Sequence, residues 1–489
     1  MNPWIRWQKD DTRTEPAWRW LADWAGMPAL LATPPRPLAE MDEPASQLSE
    51  VLRTKFAALL GAKRMKLDLA TRALHGTSST ADRLRVRTGD LSHLPDAVLY
   101  PASPEDVLAL LRLCTEAGIA VTIFGAGNGF GAMPGRGPHA ALISLDLSAM
   151  DHLLSVDTMS GLARAEAGIT ADALARQLAA HGMMLKGEMD GSLGGHIARN
   201  RDIAWLQAVK LATPQGLVAS ALSLAPASQG AFGVIISAGL RIQALPARCE
   251  YRRYLFADFA SGLTALREAQ RQGLARAGTV LWDAGETRFR DQMEQIGRRR
   301  SLAQRLSEIY RQVRQFDRQA SALTIGFCGS EVETDAARKR FDALAKKLGA
   351  LAEGICTPQK PDYRDRLLDR GLAMDMIETT ASWSKLPGVY AAMRAALDRA
   401  MRAGAPRAGA HGLVLAQVCD IRHEGAKLRL TMVFPRMLGR DVAQAEAVRA
   451  TALKALADMT AAAEPLEDNL RRGIRQMLDP KAILGPDGA

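Results

Sequence analysis

The sequence predicts an α+β protein: a glycine-turn domain, then a domain in which an antiparallel sheet is backed by helices. Three observations carry that expectation. Residues 94–147 alternate short apolar runs with one amphipathic helical pattern and a glycine-rich turn. Residues 247–440 alternate strand-length apolar runs with long helical patterns, an order that builds an antiparallel sheet with helices on it. With 489 residues, 47% of them hydrophobic, the chain has material for two or three packed cores.

Taken in order, residues 1–60 read as a mostly helical lead-in broken at Pro34-Pro35-Arg36-Pro37. Trp4, Trp7, Trp18, Trp20 and Trp24 stand among Arg6, Lys9, Arg13 and Arg19. Two readings fit them: a strap packed across the body, which we favour, and a peripheral contact with a membrane interface. Leu94 to Tyr100 is a short strand closed by Pro101. Ser103-Pro104-Glu105-Asp106 opens a helix, with proline in the first turn and acids at the positive end of the dipole. Val107, Leu110, Leu111 and Cys114 recur at helical spacing until Gly118 stops the helix. The apolar run 119–124 then meets a glycine turn, and 141–147 is the next strand. A strand at Gly239–Gln243 closes a first domain, residues 61–245, ahead of Pro246. The second domain, 247–440, holds strands at 252–256, 322–327, 413–418 and 428–434, and helices at 264–273, 290–316, 334–348 and 388–402. Residues 441–489 form a helical tail expected to return to the first domain.

The chemistry concentrates in two glycine clusters, Gly125-Ala126-Gly127-Asn128-Gly129-Phe130-Gly131 and Gly191-Ser192-Leu193-Gly194-Gly195. Alternating glycines let a chain turn sharply and present bare N–H groups, a concavity that suits phosphate oxygens. Neither cluster has the spacing of the Rossmann fingerprint or of the Walker loop. A plain glycine-rich turn is the other reading of each. Two such turns point to a large phosphorylated cofactor held at more than one place.

These segments, in this order, resemble the PCMH-type FAD-binding fold of the vanillyl-alcohol oxidase superfamily, and within it the branch containing alkyldihydroxyacetonephosphate synthase. The resemblance rests on Leu74-His75-Gly76 through Arg83 to Asp90, on Leu94 to Pro101, and on Phe124 to Gly131 as the pyrophosphate loop. Asp146 to Met150, Ala165-Glu166-Ala167-Gly168 and Ser192-Leu193-Gly194-Gly195 continue it. Asp362 to Asp365, Glu378-Thr379, Trp383 and the ending Leu478-Asp479-Pro480 extend it through the second domain and the tail. It implies a two-subdomain flavin domain with a cap, FAD as cofactor, and oxidoreductase chemistry. The cofactor contacts it implies are Gly125, Ala126, Gly127, Asn128, Gly129, Phe130, Ser192, Leu193, Gly194, Gly195, His196, Gly230 and Val234. No histidine lies in the first glycine loop, so the FAD is expected to be non-covalent.

The chain departs from that pattern in ways that imply a degenerate active site. The loop from Gly195 to Asp202 runs almost directly into Trp205, where the family has a longer one. The segment Ser228-Gln229-Gly230 is also cut back, with Gln229 in place of the usual acid. The branch's C-terminal histidine run is absent from 461–468, and its cap-strand tyrosine is absent from 427–434. Ether-lipid synthesis by the family's mechanism is therefore not expected. Catalytic candidates are His411 and His423, either of which suits acid–base work near neutral pH, and Arg364, whose fixed fork suits an anionic headgroup. Turn residues and a salt bridge to Asp362 or Asp365 are the alternatives. Two functions stay open: an FAD-dependent oxidoreductase, and a flavin-free homologue serving as a scaffold or subunit of a larger assembly.

Composition narrows the partners. No apolar run is long enough to span a membrane as a helix. Cys114, Cys249, Cys328, Cys356 and Cys419 are scattered and odd in number, so neither disulfides nor a metal site is expected, which fits the cytoplasm. The net charge of +10 includes Arg298-Arg299-Arg300, Arg305, Arg311, Arg314 and Arg318, spaced as one wet helix face. Aromatics are 5% and are not interleaved with that run, so nucleic acid is not a partner. A small organic substrate and a homodimer are the remaining partner expectations.

Overall fold

The computed structural model describes residues 15–127, 135–275, 278–294, 319–357, 363–459 and 465–485. They divide into two compact units, and the α+β expectation is borne out in both. The first unit comprises the described residues of Arg36–Leu245 and Ala462–Ala489. Its smaller sheet has the order β1 (Met65–Lys66), β2 (Ala97–Leu99), β4 (Ala141–Asp146), β3 (Ile119–Phe124). β4 pairs in parallel with both β2 and β3. The helix Pro104–Ala117 forms as its signals require: Ser103 Oγ accepts from Asp106 N at 3.0 Å, and Gly118 ends it with φ +64°. That helix buries Val107, Leu110, Leu111 and Cys114 in a core shared with Leu99, Val121 and Ile143.

Because strand side chains alternate, Tyr100, Phe124 and Asp146 point to the opposite face, over which the helix Leu69–His75 lies. The larger sheet is antiparallel, ordered β5 (Leu153–Asp157), β6 (Leu162–Glu166), β10 (Val234–Ala244), β8 (Leu206–Thr213), β9 (Gly216–Val218), with β7 (Met183–Leu185) beside the end of β10. Only the end of the expected tail returns to this unit, where Leu484 bridges Val121 and Val121 N donates to Ile483 O at 2.8 Å, whereas the helix Asp441–Met459 belongs to the second unit.

The second unit holds the described residues up to Pro35 and of Pro246–Ala461. Its sheet runs β14 (Leu351–Ile355), β11 (Arg248–Phe256), β13 (Ser321–Gly329), β12 (Val280–Trp282), β16 (Leu413–Cys419), β17 (Gly425–Pro435), β15 (Leu372–Ser382). Every pairing is antiparallel. The helices Phe259–Arg271, Glu331–Lys347 and Leu386–Ala403 pack on one face: Phe341 meets Tyr254 and Phe327, Gly262 admits Leu281, and Tyr390 stacks on Phe259. On the other face Trp18, Leu21, Phe289, Met293 and Leu367 cover Leu372, Leu413, Leu415 and Val433. Asp283 links the layers. It accepts from Glu286 N at 2.8 Å, Ala416 N at 3.1 Å and Tyr390 Oη at 3.0 Å, and pairs with Arg394. Burial raises its pKa, opposed first by Arg394.

Trp18, Trp20 and Trp24 lie on the helix Glu15–Trp24, with Trp18 buried; Trp4 and Trp7 are outside the described residues. Beyond residue 294 the expected helix 290–316 is outside them too. Among the described residues, no helix is long and apolar enough to cross a membrane.

One expectation is corrected. Cys249 and Cys328 stand directly opposite each other on β11 and β13 and form a disulfide. They are separated by 79 residues, and only the sheet register brings them together. Closing so long a loop stabilises the unit by roughly 2–4 kcal/mol. Alkylation of the denatured chain tests the pairing. Three cysteines should react without reductant, namely Cys114, Cys356 and Cys419, and all five after reduction. Five reacting without reductant would contradict it.

Candidate functional site

In the first unit three turns gather at the end of β3. The first begins at Gly125. The second is led by Ser192, which caps the helix Leu193–Arg199 by accepting from Gly195 N at 3.3 Å. A Cβ on Gly125 would come within 2.6 Å of Ser192 Oγ and 3.7 Å of Gly195 Cα, so the turns meet only because no side chain stands between them. Behind this contact, Leu193 N donates to Ile169 O at 2.9 Å and Gly194 N to Ala167 O at 2.8 Å. A third turn docks on the same helix, with Ala227 N donating to Ile197 O at 3.2 Å and Gln229 N to Ala198 O at 2.9 Å. Ala227 and Gln229 take φ of 55° and 51°, a left-handed conformation that non-glycine residues hold at a cost. Gly230, at φ +87°, lets Ile123 close in, since a Cβ there would lie 2.9 Å from its Cδ1.

The predicted cofactor residues thus separate by role. Gly125, Gly127, Ser192, Gly195 and Gly230 shape the gathering, and Ala126 is exposed beside it. Leu193, Gly194 and Val234 are buried as packing behind it. His196 turns to Asp190, 2.8 Å from its Nδ1, and stacks on Trp205 with ring centroids 5.5 Å apart. Trp205 in turn donates to Glu188 O at 3.1 Å. Asn128, Gly129 and Phe130 lie outside the described residues.

The second unit carries a polar strip that sequence reasoning missed. Past the apolar half covered by helices, Trp282, Gln417, Arg429 and Glu378 line up across β12, β16, β17 and β15, one opposite the next. Arg429 pairs with Glu378, and Lys427 lies 3.9 Å from Glu378 and 3.7 Å from Asp420. These groups are half-buried, not solvated on a free surface. Period-two spacing of 427 and 429 with 417 was the available signal, but strand pairing was needed to read it.

His411 and His423 sit at opposite ends of β16. His423 is exposed in the β16–β17 turn, its carbonyl accepting from Trp383 Nε1 at 3.0 Å. His411 N donates to Ala25 O at 3.0 Å, and its Nδ1 lies 3.2 Å from Gly409 O. Arg364 is buried at the start of the helix Arg364–Leu368, near enough to Asp375 to oppose the rise that burial gives that carboxyl's pKa. Asp375 itself takes Arg449 at 2.9 and 3.1 Å.

A small mixed sheet and a larger antiparallel sheet that share glycine turns, with a helix-backed antiparallel sheet in a second unit, define a PCMH-type flavoprotein architecture. Residues 95–220 match the FAD binding domain family, and residues 245–488 match the C-terminal domain of FAD linked oxidases. The chain belongs to the FAD-linked oxidases. It is 27% identical over 387 residues to the alkyldihydroxyacetonephosphate synthase from Dictyostelium discoideum, covering 71% of this chain and 63% of the relative. It is 28% identical over 259 residues to the one from Trypanosoma brucei brucei, covering 47% and 42%. The chain therefore spans less than two thirds of the length of these curated relatives. A solved alkyldihydroxyacetonephosphate synthase structure superimposes with a TM-score of 0.80 at 20% identity, over 97% of this chain and 92% of that one. FAD is the family's cofactor and this chain's.

The close approach of the two turns is directly testable. Gly125→Val should displace Ser192 and break its cap, costing about 1 kcal/mol at that turn and roughly tenfold or more in FAD affinity. Titration of apo-protein with FAD checks it, and wild-type affinity in the variant would contradict the geometry.

Proposed function

We propose that the chain is an FAD-dependent oxidoreductase with non-covalently held flavin, acting on a small organic anion. The observation that carries the reading is the close approach of Gly125 to the Ser192 side chain and to Gly195 Cα, beside the turn at Gly230. Main-chain N–H groups of the first turn and the Ser192 hydroxyl would hold the diphosphate, since the amides of Leu193, Gly194 and Gly195 are already given to Ile169 O, Ala167 O and Ser192 Oγ. The described residues fit the group: Gly125, Ala126 and Gly127 form a half-buried to exposed turn that carries no bulky side chain. Bound FAD supplies two-electron redox chemistry.

The chain's own groups would do the rest. Arg429 and Lys427 fix an anionic headgroup on the polar strip, and Glu378 holds both cations in place. His423, at the end of the same strip, is the better acid–base candidate than His411, which lies at the far end of β16. Arg364, buried toward Asp375, is a positioning group. His196 is engaged by Asp190 and Trp205, which supports a flavin without a histidyl bond. Ether formation of the synthase type is not carried over, because the family's histidine run and strand tyrosine have no counterpart here. A flavin-free scaffold is not favoured, since both family models that the chain matches are those of FAD-binding or FAD-linked domains. The Cys249–Cys328 bond fits an oxidising compartment better than the cytoplasm.

Purified protein should be yellow, and acid precipitation should release intact FAD into the supernatant, identified by its mass. Flavin retained on the precipitate would overturn the non-covalent assignment. A colourless protein that takes up no added FAD would overturn the enzyme reading.

A further inference from the structure

The first glycine turn rests on a buried group that neither the glycine motifs nor the polar strip accounts for. His75 ends the helix Leu69–His75 and is 1% exposed. Its Nδ1 lies 2.8 Å from Thr71 O and its Nε2 3.0 Å from Asp146 Oδ2. Held by a main-chain carbonyl at one ring nitrogen and a carboxylate at the other, the ring is fixed in orientation. Asp146 is the last residue of β4, and its other oxygen accepts from Ser148 N at 2.8 Å. Opposite Asp146 in the parallel register is Phe124, the last residue of β3 before the turn. The Phe124 ring packs on the His75 ring with centroids 4.0 Å apart. At the ring's tip, a Cβ at Gly127 would lie 3.1 Å from Phe124 Cζ. Tyr100 closes the remaining side, edge-on to His75 at 6.2 Å, its hydroxyl pKa pushed up to about 12 by burial and by Asp146.

We propose that His75 is a positioning residue for FAD: wired to Asp146, it clamps the Phe124 ring and through it sets the course of the Gly125–Gly127 turn. The inference rests on the flavin reading above. His75 touches no cofactor atom in this scheme. Its effect passes through an aromatic ring that packs on an imidazole and abuts, at its tip, a glycine of positive φ, where a small shift of the ring moves the turn's amides away from the diphosphate.

The test measures FAD affinity of apo-protein by flavin fluorescence, alongside the apo-protein's melting temperature. His75→Gly should weaken FAD binding roughly tenfold, the scale of one hydrogen bond to a carboxylate. Added imidazole should restore the affinity by refilling the space between Phe124 and Asp146. Phe124→Leu leaves the His75–Asp146 pair intact and serves if the glycine variant does not fold; it should show a similar loss. Wild-type affinity in either variant overturns the proposal, as does imidazole that restores melting without restoring affinity. Wild-type protein that binds no FAD overturns the flavin reading and this inference together, a result distinct from variants that bind as the parent does.

Discussion

The first unit depends on the close approach of Gly125 to Ser192 and Gly195, where β3 ends and the helix capped by Ser192 begins. That approach is possible because position 125 has no side chain, and it is held from behind by hydrogen bonds from Leu193 and Gly194 to Ile169 and Ala167. Those carbonyls follow β6, whose place in the larger sheet is set by five residue pairs with β10. The mixed and antiparallel sheets thus share one junction, built from glycine and main-chain groups. A site of this kind recognises charge and shape through amides, which need no particular side chain and are positioned by the strands that deliver them. Its rigidity comes from the surrounding core, in which Ile123, Ile197 and Phe232 all take part.

The second unit solves a different problem: one sheet face must be apolar under helices and polar beyond them. Leu413, Leu415 and Val433 fill the covered half, and Gln417, Lys427 and Arg429 continue the same strands into the polar half. Period-two geometry makes that change of character a matter of two residues along a strand. Asp283 anchors the covered half. A buried carboxylate is costly unless donors surround it, and here two amides, a phenol and a guanidinium do so, drawn from three separate elements.

Much of this was legible in the chain. The helix Pro104–Ala117, with Ser103 before it and Gly118 after it, and the strands at 119–124 and 413–418 carry their signals locally and appear where those signals put them. β15 was missed because both its faces are partly polar: Asp375 serves Arg449 while Glu378 serves Arg429, so alternation is hidden. β12 is only three residues long and leaves no period to count. The disulfide and the polar strip are properties of strand register, which two sequence-distant segments acquire only on pairing. The histidines illustrate the same limit, since proximity to one hairpin in sequence put His411 and His423 together, and an extended strand holds them apart. His75 was visible as a residue but not as a support, because Asp146 is distant in sequence and adjacent only through the mixed sheet.

The most direct measurement is competition for the apo-protein between FAD and its fragments. If the turns grip the diphosphate, ADP-ribose should displace FAD competitively, and riboflavin, which lacks phosphate, should displace it poorly. Displacement by riboflavin with no effect of ADP-ribose would contradict the account, because binding would then reside in the ring and not in the amides of the glycine turns.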